Sequence, residues 1–356
     1  MKKILSISGM ILLMLFVYSM LQSTLALACT LGGLAYGDWQ GLVSGDVVKL
    51  FQTSDPASLP AAAKYFYYAG MSVGLCLSAV LMLVIIHYSG LFRMRLSLFR
   101  SISWKPLLLS TLLVFTTMWA LNIFVQWFPL EDQMEDVFAG VSHNIIGALT
   151  ISVIAPVLEE VMFRGAIQGY IIRKTGSPAL AIITASLVFG IFHINPVQVV
   201  FATLLGLVLG WMYYRTGSLL SVIVGHVLNN SIATFMMLLA GNVAETEISE
   251  ISGYSEQQMM IMTIVMFVFF VAISIYIGIA LHRSLPSVPV PWHESDVKVL
   301  PPPPVVCCCG DVLASPPPVP PVPYADGCET VAATPSADDS VVGTETAGND
   351  SAEAKE

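Results

Sequence analysis

Charged side chains are scarce in this sequence. Asp, Glu, Lys and Arg make up 11% of the 356 residues, whereas soluble domains contain about 25%. Hydrophobic residues reach 56%, and the mean hydropathy is +0.77. These values exclude an ordinary soluble globular domain. The net charge is −9 and no cluster of Lys and Arg is present, so the sequence also does not indicate a nucleic-acid-binding surface.

Cysteines in a metal-binding or disulfide pattern are also missing. The six cysteines include the consecutive run Cys307 to Cys309 and no Cys-x-x-Cys pair, so neither a zinc site nor a disulfide framework is indicated. The apolar runs do not alternate with polar residues, which excludes a β-barrel. Apolar stretches of about 20 residues recur, and that length spans a bilayer. The sequence therefore predicts an all-α fold, a polytopic transmembrane helical bundle with about eight spans.

The N-terminal segment, residues 1–29, has two interpretations. It begins with two lysines, continues with a long apolar run and ends in Ala26-Leu27-Ala28-Cys29. It is either a retained first transmembrane helix or a cleaved signal segment, with lipidation of Cys29 as a variant of cleavage. Residues 30–141 are expected to form an external loop, up to about residue 63, and two transmembrane helices. Residues 242–283 are expected to form an acidic loop and the last transmembrane helix.

Residues 284–356 have a different composition, rich in Pro and then in Ala, Ser, Thr, Asp and Glu. They are predicted to be a disordered cytoplasmic tail, either a flexible appendage or a segment that binds Pro-reading modules. With the N-terminus inside, the outer loops hold only Lys49 and Lys64, and the inner loops hold Lys2, Lys3, Arg93, Arg95, Arg100, Lys105, Arg173, Lys174, Arg215 and Arg283. The positive-inside rule thus predicts an integral membrane protein with both termini inside. Its N-terminal pattern suits a bacterial inner membrane.

Two adjacent carboxylates and an arginine lie inside a long apolar helix. They are Glu159, Glu160 and Arg164, and ionisable residues within the membrane mark functional sites by default. Glu160 and Arg164 are four residues apart, so they share a helix face and can pair. Glu159 is rotated by about 100° from Glu160 and is expected to point elsewhere, unpaired and suited to act as a general base on water. The alternative is an ion-pair cluster that only stabilises the bundle.

A later apolar helix carries His193, four residues after Phe189 and just before the helix-breaking pair Asn195-Pro196. Irregular backbone at membrane depth is tolerated where it lines a cavity or is buried in protein. The alternative is an ordinary packed or hydrogen-bonded histidine.

The next motif is His226 with Asn230, which share a helix face. Both side chains can donate hydrogen bonds to a developing oxyanion, and Asn229 lies off that face and is secondary. The alternative is hydrogen bonding between helices. His193 and His226 lie near opposite ends of their helices, so they can meet only if the helix of His193 is short, tilted or deeply set.

Taken together, Glu-Glu-x3-Arg, Phe-x3-His and His-x3-Asn on separate apolar helices resemble the CPBP family of intramembrane proteases. This family includes the CAAX prenyl endopeptidases and the Abi-type bacteriocin self-immunity proteins. The resemblance covers residues 142–241, the expected catalytic core. It implies that Glu159 activates water, that His193 assists it, and that His226 and Asn230 stabilise the tetrahedral intermediate. It also implies supporting roles for Glu160, Arg164 and Phe189.

Cofactor and substrate are less defined. Members of this family are often labelled metalloproteases, and Glu159, His193 and His226 could bind zinc with water in the fourth position. However, the sequence has no His-Glu-x-x-His motif, so metal-free glutamate chemistry is favoured and zinc or another divalent metal is the alternative. The predicted function is an intramembrane endopeptidase acting on a membrane-embedded or lipidated protein or peptide. The alternatives are a non-catalytic bacteriocin self-immunity or membrane scaffold protein and, less favoured, a small-solute transporter.

Overall fold

The computed structural model describes residues 2–52, 56–90, 102–240 and 254–285. These residues are mainly helical and contain no strand. The all-α prediction is therefore confirmed for this part of the chain. The center of the acidic loop, the inner-loop arginines at 93, 95 and 100, and the Pro-rich tail beyond residue 285 lie outside the described residues.

The helices are numbered here in chain order. They are α1 (Lys2–Trp39), α2 (Val47–Phe51), α3 (Ala61–Tyr88), α4 (Trp104–Gln126), α5 (Glu135–Ser142), α6 (Ile145–Thr175), α7 (Pro178–Phe192), α8 (Pro196–Thr216), α9 (Leu219–Ala240) and α10 (Glu256–Ser284). A single 3₁₀ turn, Pro56–Ser58, precedes α3.

Seven helices among the described residues are long and apolar enough to cross a membrane: α1, α3, α4, α6, α8, α9 and α10. The remaining predicted span, α7, has 15 residues. At 1.5 Å per residue it is about 22 Å long, whereas the hydrocarbon core of a bilayer is about 30 Å thick. The eighth span is therefore present as a helix, but it is shorter than a membrane crossing.

Helix α1 extends ten residues beyond the end that the sequence indicates, because it continues to Trp39 instead of entering a loop at residue 30. The glycines of this region pack against α3. A Cβ atom at Gly33 would collide with the carbonyl oxygen of Phe66, and Cβ atoms at Gly70 and Gly74 would collide with α1 backbone. Small residues at such contacts let membrane helices approach closely. The helix is unbroken through Cys29, and both interpretations of residues 1–29 stay open.

The boundaries of α6 and α7 follow local sequence signals. Asn144 accepts a hydrogen bond from the first turn of α6 at 2.8 Å, and Gly176 ends that helix in the left-handed conformation, with φ of 71°. Ser177 then caps α7. These are the residues that favour helix starts and stops, and they place α6 and α7 side by side in opposite directions.

Helix α6 lies at the centre of the described residues. Its nine residues from Glu160 to Gln168 are all buried, and they contact α7, α8 and α9. Helices α4 and α10 pack together beside them, and α4 also contacts α8 and α9. The Glu-Glu-x3-Arg motif is thus enclosed by protein instead of facing lipid.

Candidate active site

Helix α6 is not a regular α-helix. Residues Thr150–Ile154 and Glu160–Gln168 are wound as π-helix, with one more residue in each hydrogen-bonded turn. Such π segments are rare and often occur at functional sites. The second one begins at Glu160, but the dihedral angles of Glu159 (φ −61°, ψ −44°) and Glu160 (φ −65°, ψ −40°) remain those of an α-helix, so the two side chains leave the helix in different directions.

The pairing of Glu160 with Arg164 is confirmed. Arg164 Nε lies 3.2 Å from Glu160 Oε2, and both side chains are buried. The geometry is that of an ion pair, since Glu160 Oε2 has no aligned hydrogen-bond donor among the described residues. The guanidinium also lies over the ring of Phe189, 4.5 Å from its centroid. This arginine is therefore fixed from two sides inside the core.

His226 contacts both glutamates, so Glu159, which was expected to be unpaired, has a partner on another helix, whereas Arg164 pairs with Glu160. Its Nδ1 lies 2.7 Å from Glu160 Oε1, and its Nε2 lies 3.6 Å from Glu159 Oε2. The imidazole is buried and held between two carboxylates on the neighbouring helix. A carboxylate only accepts hydrogen bonds, so the Nδ1 proton is donated to Glu160. A neutral His226 then has no proton on Nε2, and only the imidazolium can donate from that atom.

His193 is the C-terminal cap of α7. Its Nδ1 lies 2.8 Å from the carbonyl oxygen of Phe189, and because a carbonyl only accepts, Nδ1 carries the proton and Nε2 is left as an acceptor. Within the described residues no direct hydrogen bond connects His193 to Glu159 or His226. The Phe189 ring connects them, with centroids 4.8 Å from His193 and 5.8 Å from His226.

The helix of His193 is thus short, which was the condition for His193 and His226 to lie close together. Helix α7 is short, so its last residue does not reach as far across the bilayer as the end of a full span would. Phe189, expected only to support His193, is the ring that His193, His226 and Arg164 all contact.

Asn230 lies one turn after His226 and contacts α6. Its Nδ2 donates to the carbonyl oxygen of Ile151 at 3.1 Å, inside the first π segment. Its Oδ1 accepts from Asn229 Nδ2 at 2.9 Å. Asn229, which was treated as secondary, thus sets the orientation of the Asn230 amide. One N–H of Asn230 is donated to Ile151, and the other has no acceptor within the described part of the chain.

Two further side chains near the site were missed in the sequence. Gln168 is fully buried and donates from Nε2 to the carbonyl oxygen of Gly210 in α8 at 3.0 Å. Tyr18 of α1 is buried, stacks on Phe192 at 5.4 Å and lies near the Glu159 carboxylate. The spacing of Gln168 four residues after Arg164 was a usable signal for the first. No local signal relates Tyr18 to a residue so distant in the chain.

The geometry does not present a ready set of metal ligands. Within the described ranges, no three His, Cys, Asp and Glu side chains are arranged to hold a metal ion. Both ring nitrogens of His226 already face carboxylate oxygens, and His193 points its Nδ1 at a backbone carbonyl. The zinc alternative at Glu159, His193 and His226 stays a prediction, and no step below uses a metal.

Comparisons with known proteins agree with this reading of the core. Residues 141–232 match the family described as Rce1-like, type II CAAX prenyl endopeptidase. The chain is also 31% identical over 87 residues to the Bacillus subtilis (strain 168) protein named "Putative membrane peptidase YdiL". That match covers 24% of this chain and 35% of the relative, so the chain spans about a third of the length of this curated relative. No solved structure matches. The region that carries all three motifs is thus similar to membrane proteases of the CPBP type, in agreement with the resemblance given by the motifs.

Proposed function

We propose that this protein is an intramembrane endopeptidase that hydrolyses a peptide bond of a membrane-associated protein or peptide with water activated by Glu159. The observation that carries the proposal is the buried cluster in which His226 contacts both Glu159 and Glu160 while Glu160 pairs with Arg164. Charged groups in such a place are costly unless they are paired. Glu159, at 14% exposure, is the more accessible of the two carboxylates.

The sum of the charges in the cluster indicates whether His226 is protonated. Glu159 and Glu160 carry two negative charges and Arg164 one positive charge, so an imidazolium at His226 brings the sum to zero. A neutral His226 with both carboxylates ionised would leave one uncompensated charge in the core. We therefore assign one proton to the pair of Glu159 and His226. When that proton is on His226, Glu159 is free to act as a base.

This protonation state supports the steps of peptide-bond hydrolysis. Glu159 takes a proton from water while the water oxygen bonds to the carbonyl carbon of the substrate, and the carbonyl oxygen becomes an oxyanion. His226 Nε2–H and the second N–H of Asn230 donate to that oxyanion. His193 Nε2 accepts a hydrogen bond and helps to orient the water. As the C–N bond breaks, Glu159 returns the proton to the leaving amine, so atoms and charges balance.

The second candidate is a non-catalytic bacteriocin self-immunity or membrane scaffold protein. A buried polar cluster can serve specificity or packing alone, and the match to the named relative covers only part of each chain. The two candidates differ in their response to Glu159→Gln. A protease loses its activity, because an amide cannot accept the proton, whereas a scaffold keeps its phenotype.

The test compares membranes from cells that carry the wild type, Glu159→Gln, Glu159→Ala or a control, Glu135→Ala. Glu135 is an exposed carboxylate at the start of α5, away from the cluster. New protein N-termini and accumulated uncut proteins are then identified by mass spectrometry. We expect a membrane protein that is cut with the wild type and the control and stays intact with both Glu159 variants, at equal amounts of inserted enzyme. Identical proteomes in all four strains would contradict the proposal.

A peptide spanning the cut site then provides a purified assay. Loss of a general base is expected to lower the rate about 10²- to 10⁴-fold.

A further inference from the structure

The turn that carries His193 forms hydrogen bonds with a segment that precedes residues 141–232, the region that matches the protease family. Asn195, two residues after His193, is 2% exposed. Its Nδ2 donates to Asp132 Oδ1 at 2.7 Å, and its Oδ1 accepts from the backbone N–H of Gln133 at 3.4 Å. Asp132 and Gln133 belong to residues 127–134, the link between α4 and α5. A buried amide is thus held at both of its ends by this link.

The same asparagine holds the backbone next to His193. The backbone N–H of Asn195 donates to the carbonyl oxygen of His193 at 2.6 Å. Ile194 between them has a φ of 62° and is 82% exposed. A β-branched residue in the left-handed region is strained and persists only when its surroundings hold it. Ile194 has little packing of its own, so hydrogen bonds stabilise this turn: those of Asn195 and those from the backbone N–H groups of His193 and Ile194 to the last turn of α7.

We propose that Asp132 is a positioning residue for His193. Its carboxylate holds Asn195, Asn195 holds the strained turn, and the turn fixes the direction of the imidazole. Asp132 is itself fixed, because Oδ1 also accepts from the backbone N–H of Met134 at 3.0 Å. A carboxylate makes a stronger acceptor than a neutral oxygen. The expected effect of Asp132 on cleavage rests on the proposed function, whereas the stabilisation of the turn by Asp132 does not.

Asp132 lies outside residues 141–232, the range that matches the protease family. The core therefore relies on a residue that precedes it to set one of its own side chains. This gives a clear pair of variants. Asp132→Ala removes the acceptor, whereas Asp132→Asn keeps an oxygen for Asn195 and lacks only the charge.

The first measurement is hydrogen exchange, followed by mass spectrometry, on the full-length protein in detergent. In Asp132→Ala we expect exchange in peptides that cover residues 190–196 to rise about tenfold or more, the fold-change that corresponds to losing one hydrogen bond to a charged group. Asp132→Asn should change it less. The control is Glu131→Ala, since this neighbouring carboxylate is exposed and forms no hydrogen bond or ion pair within the described part of the chain.

The second measurement is cleavage of the substrate found with the Glu159 variants. We expect Asp132→Ala to lower kcat about 10- to 100-fold, as a small misplacement of a catalytic group does, with KM little changed. Asp132→Asn should recover most of the rate. In a His193→Ala background, Asp132→Ala should have no further effect, because no imidazole remains to be positioned. A purely structural residue would lower the rate by the same factor in both backgrounds.

The outcomes separate the two proposals. Unchanged hydrogen exchange of the 190–196 peptides in Asp132→Ala overturns the proposal that Asp132 stabilises the turn. Raised exchange combined with an equal loss of rate in the His193→Ala background overturns the positioning role. Absence of any cleavage by the wild type counts against the proposed function alone, and the exchange of the 190–196 peptides still decides whether Asp132 holds the turn.

Discussion

Glu159 and Glu160 are neighbours in the chain, yet the structure predicts that the same change, carboxylate to amide, destabilises the protein at Glu160 and not at Glu159. Glu160 is fully buried and forms an ion pair with Arg164 at 3.2 Å and a hydrogen bond with His226 at 2.7 Å. Glu160→Gln leaves the charge of Arg164 buried without its partner. Glu159 is 14% exposed and contacts His226 at 3.6 Å. Glu159→Gln removes only that weaker contact and the proposed base.

The magnitudes differ enough to be measured. Removing one partner of a buried ion pair costs about 3–5 kcal/mol, a large part of the roughly 5–15 kcal/mol that stabilises a typical folded protein. Loss of a single, partly solvated charge contact costs less than about 1 kcal/mol. At about 2–4 °C per kcal/mol, Glu160→Gln should lower Tm by on the order of 10 °C. Glu159→Gln should leave Tm nearly unchanged and abolish cleavage.

The assay is thermal unfolding of the purified variants in detergent, together with cleavage of the identified substrate. A third variant, Glu160→Gln with Arg164→Met, removes both charges of the pair. Replacing a buried pair by uncharged groups of similar size is often close to neutral, so this variant should recover most of the lost stability. It should not recover cleavage, because His226 still lacks the carboxylate that orients it. Equal loss of Tm in Glu159→Gln and Glu160→Gln would refute this reasoning, as would a double variant less stable than Glu160→Gln.

Three further outcomes are expected. Gly74→Leu should lower Tm, since a side chain there collides with the backbone of α1 and overpacking costs about 1–3 kcal/mol. Gly9→Leu, at a position with no neighbour within 4 Å, is the control and should leave Tm unchanged. Tyr18→Phe should lower the cleavage rate about tenfold or more at unchanged Tm, because it keeps the stacking on Phe192 and removes a polar group near Glu159; an unchanged rate would assign Tyr18 to packing alone. Dialysis against a chelator should leave cleavage unchanged, and a loss that zinc restores would contradict the metal-free mechanism.

Helix boundaries around the site could be predicted because they depend on local chemistry. Asn144, Gly176 and Ser177 act as caps or stops where the sequence places them. The contact of Glu160 with Arg164 could also be predicted, since it joins residues four apart on one helix. The end of α1 could not be predicted, because a glycine such as Gly33 is typical both of a loop and of a close contact between helices. Only the presence of Phe66 and Gly70 opposite it distinguishes the two.

The partner of Glu159 could not be predicted, because it lies on another helix. Helix geometry indicates that Glu159 and Glu160 point about 100° apart, but it does not show that His226 of α9 lies opposite both carboxylates. The contacts of Asn229, Gln168 and Tyr18 could not be predicted for the same reason, because their partners lie on other helices or on an adjacent asparagine whose orientation only the fold sets.

The length of α7 explains how distant residues form one site. Helices α7 and α9 both follow turns on the same side, after Gly176 and Gly217. His226 is seven residues into α9, about 10 Å along its axis, whereas His193 caps α7 about 22 Å from its start. Phe189 lies between these depths and contacts both rings. A full-length span would carry its terminal residue about 8 Å further, to the far surface, beyond the reach of this ring. The shortness of α7, which is poor for crossing a bilayer, is therefore what lets the histidine that caps it contact the same Phe189 ring as His226.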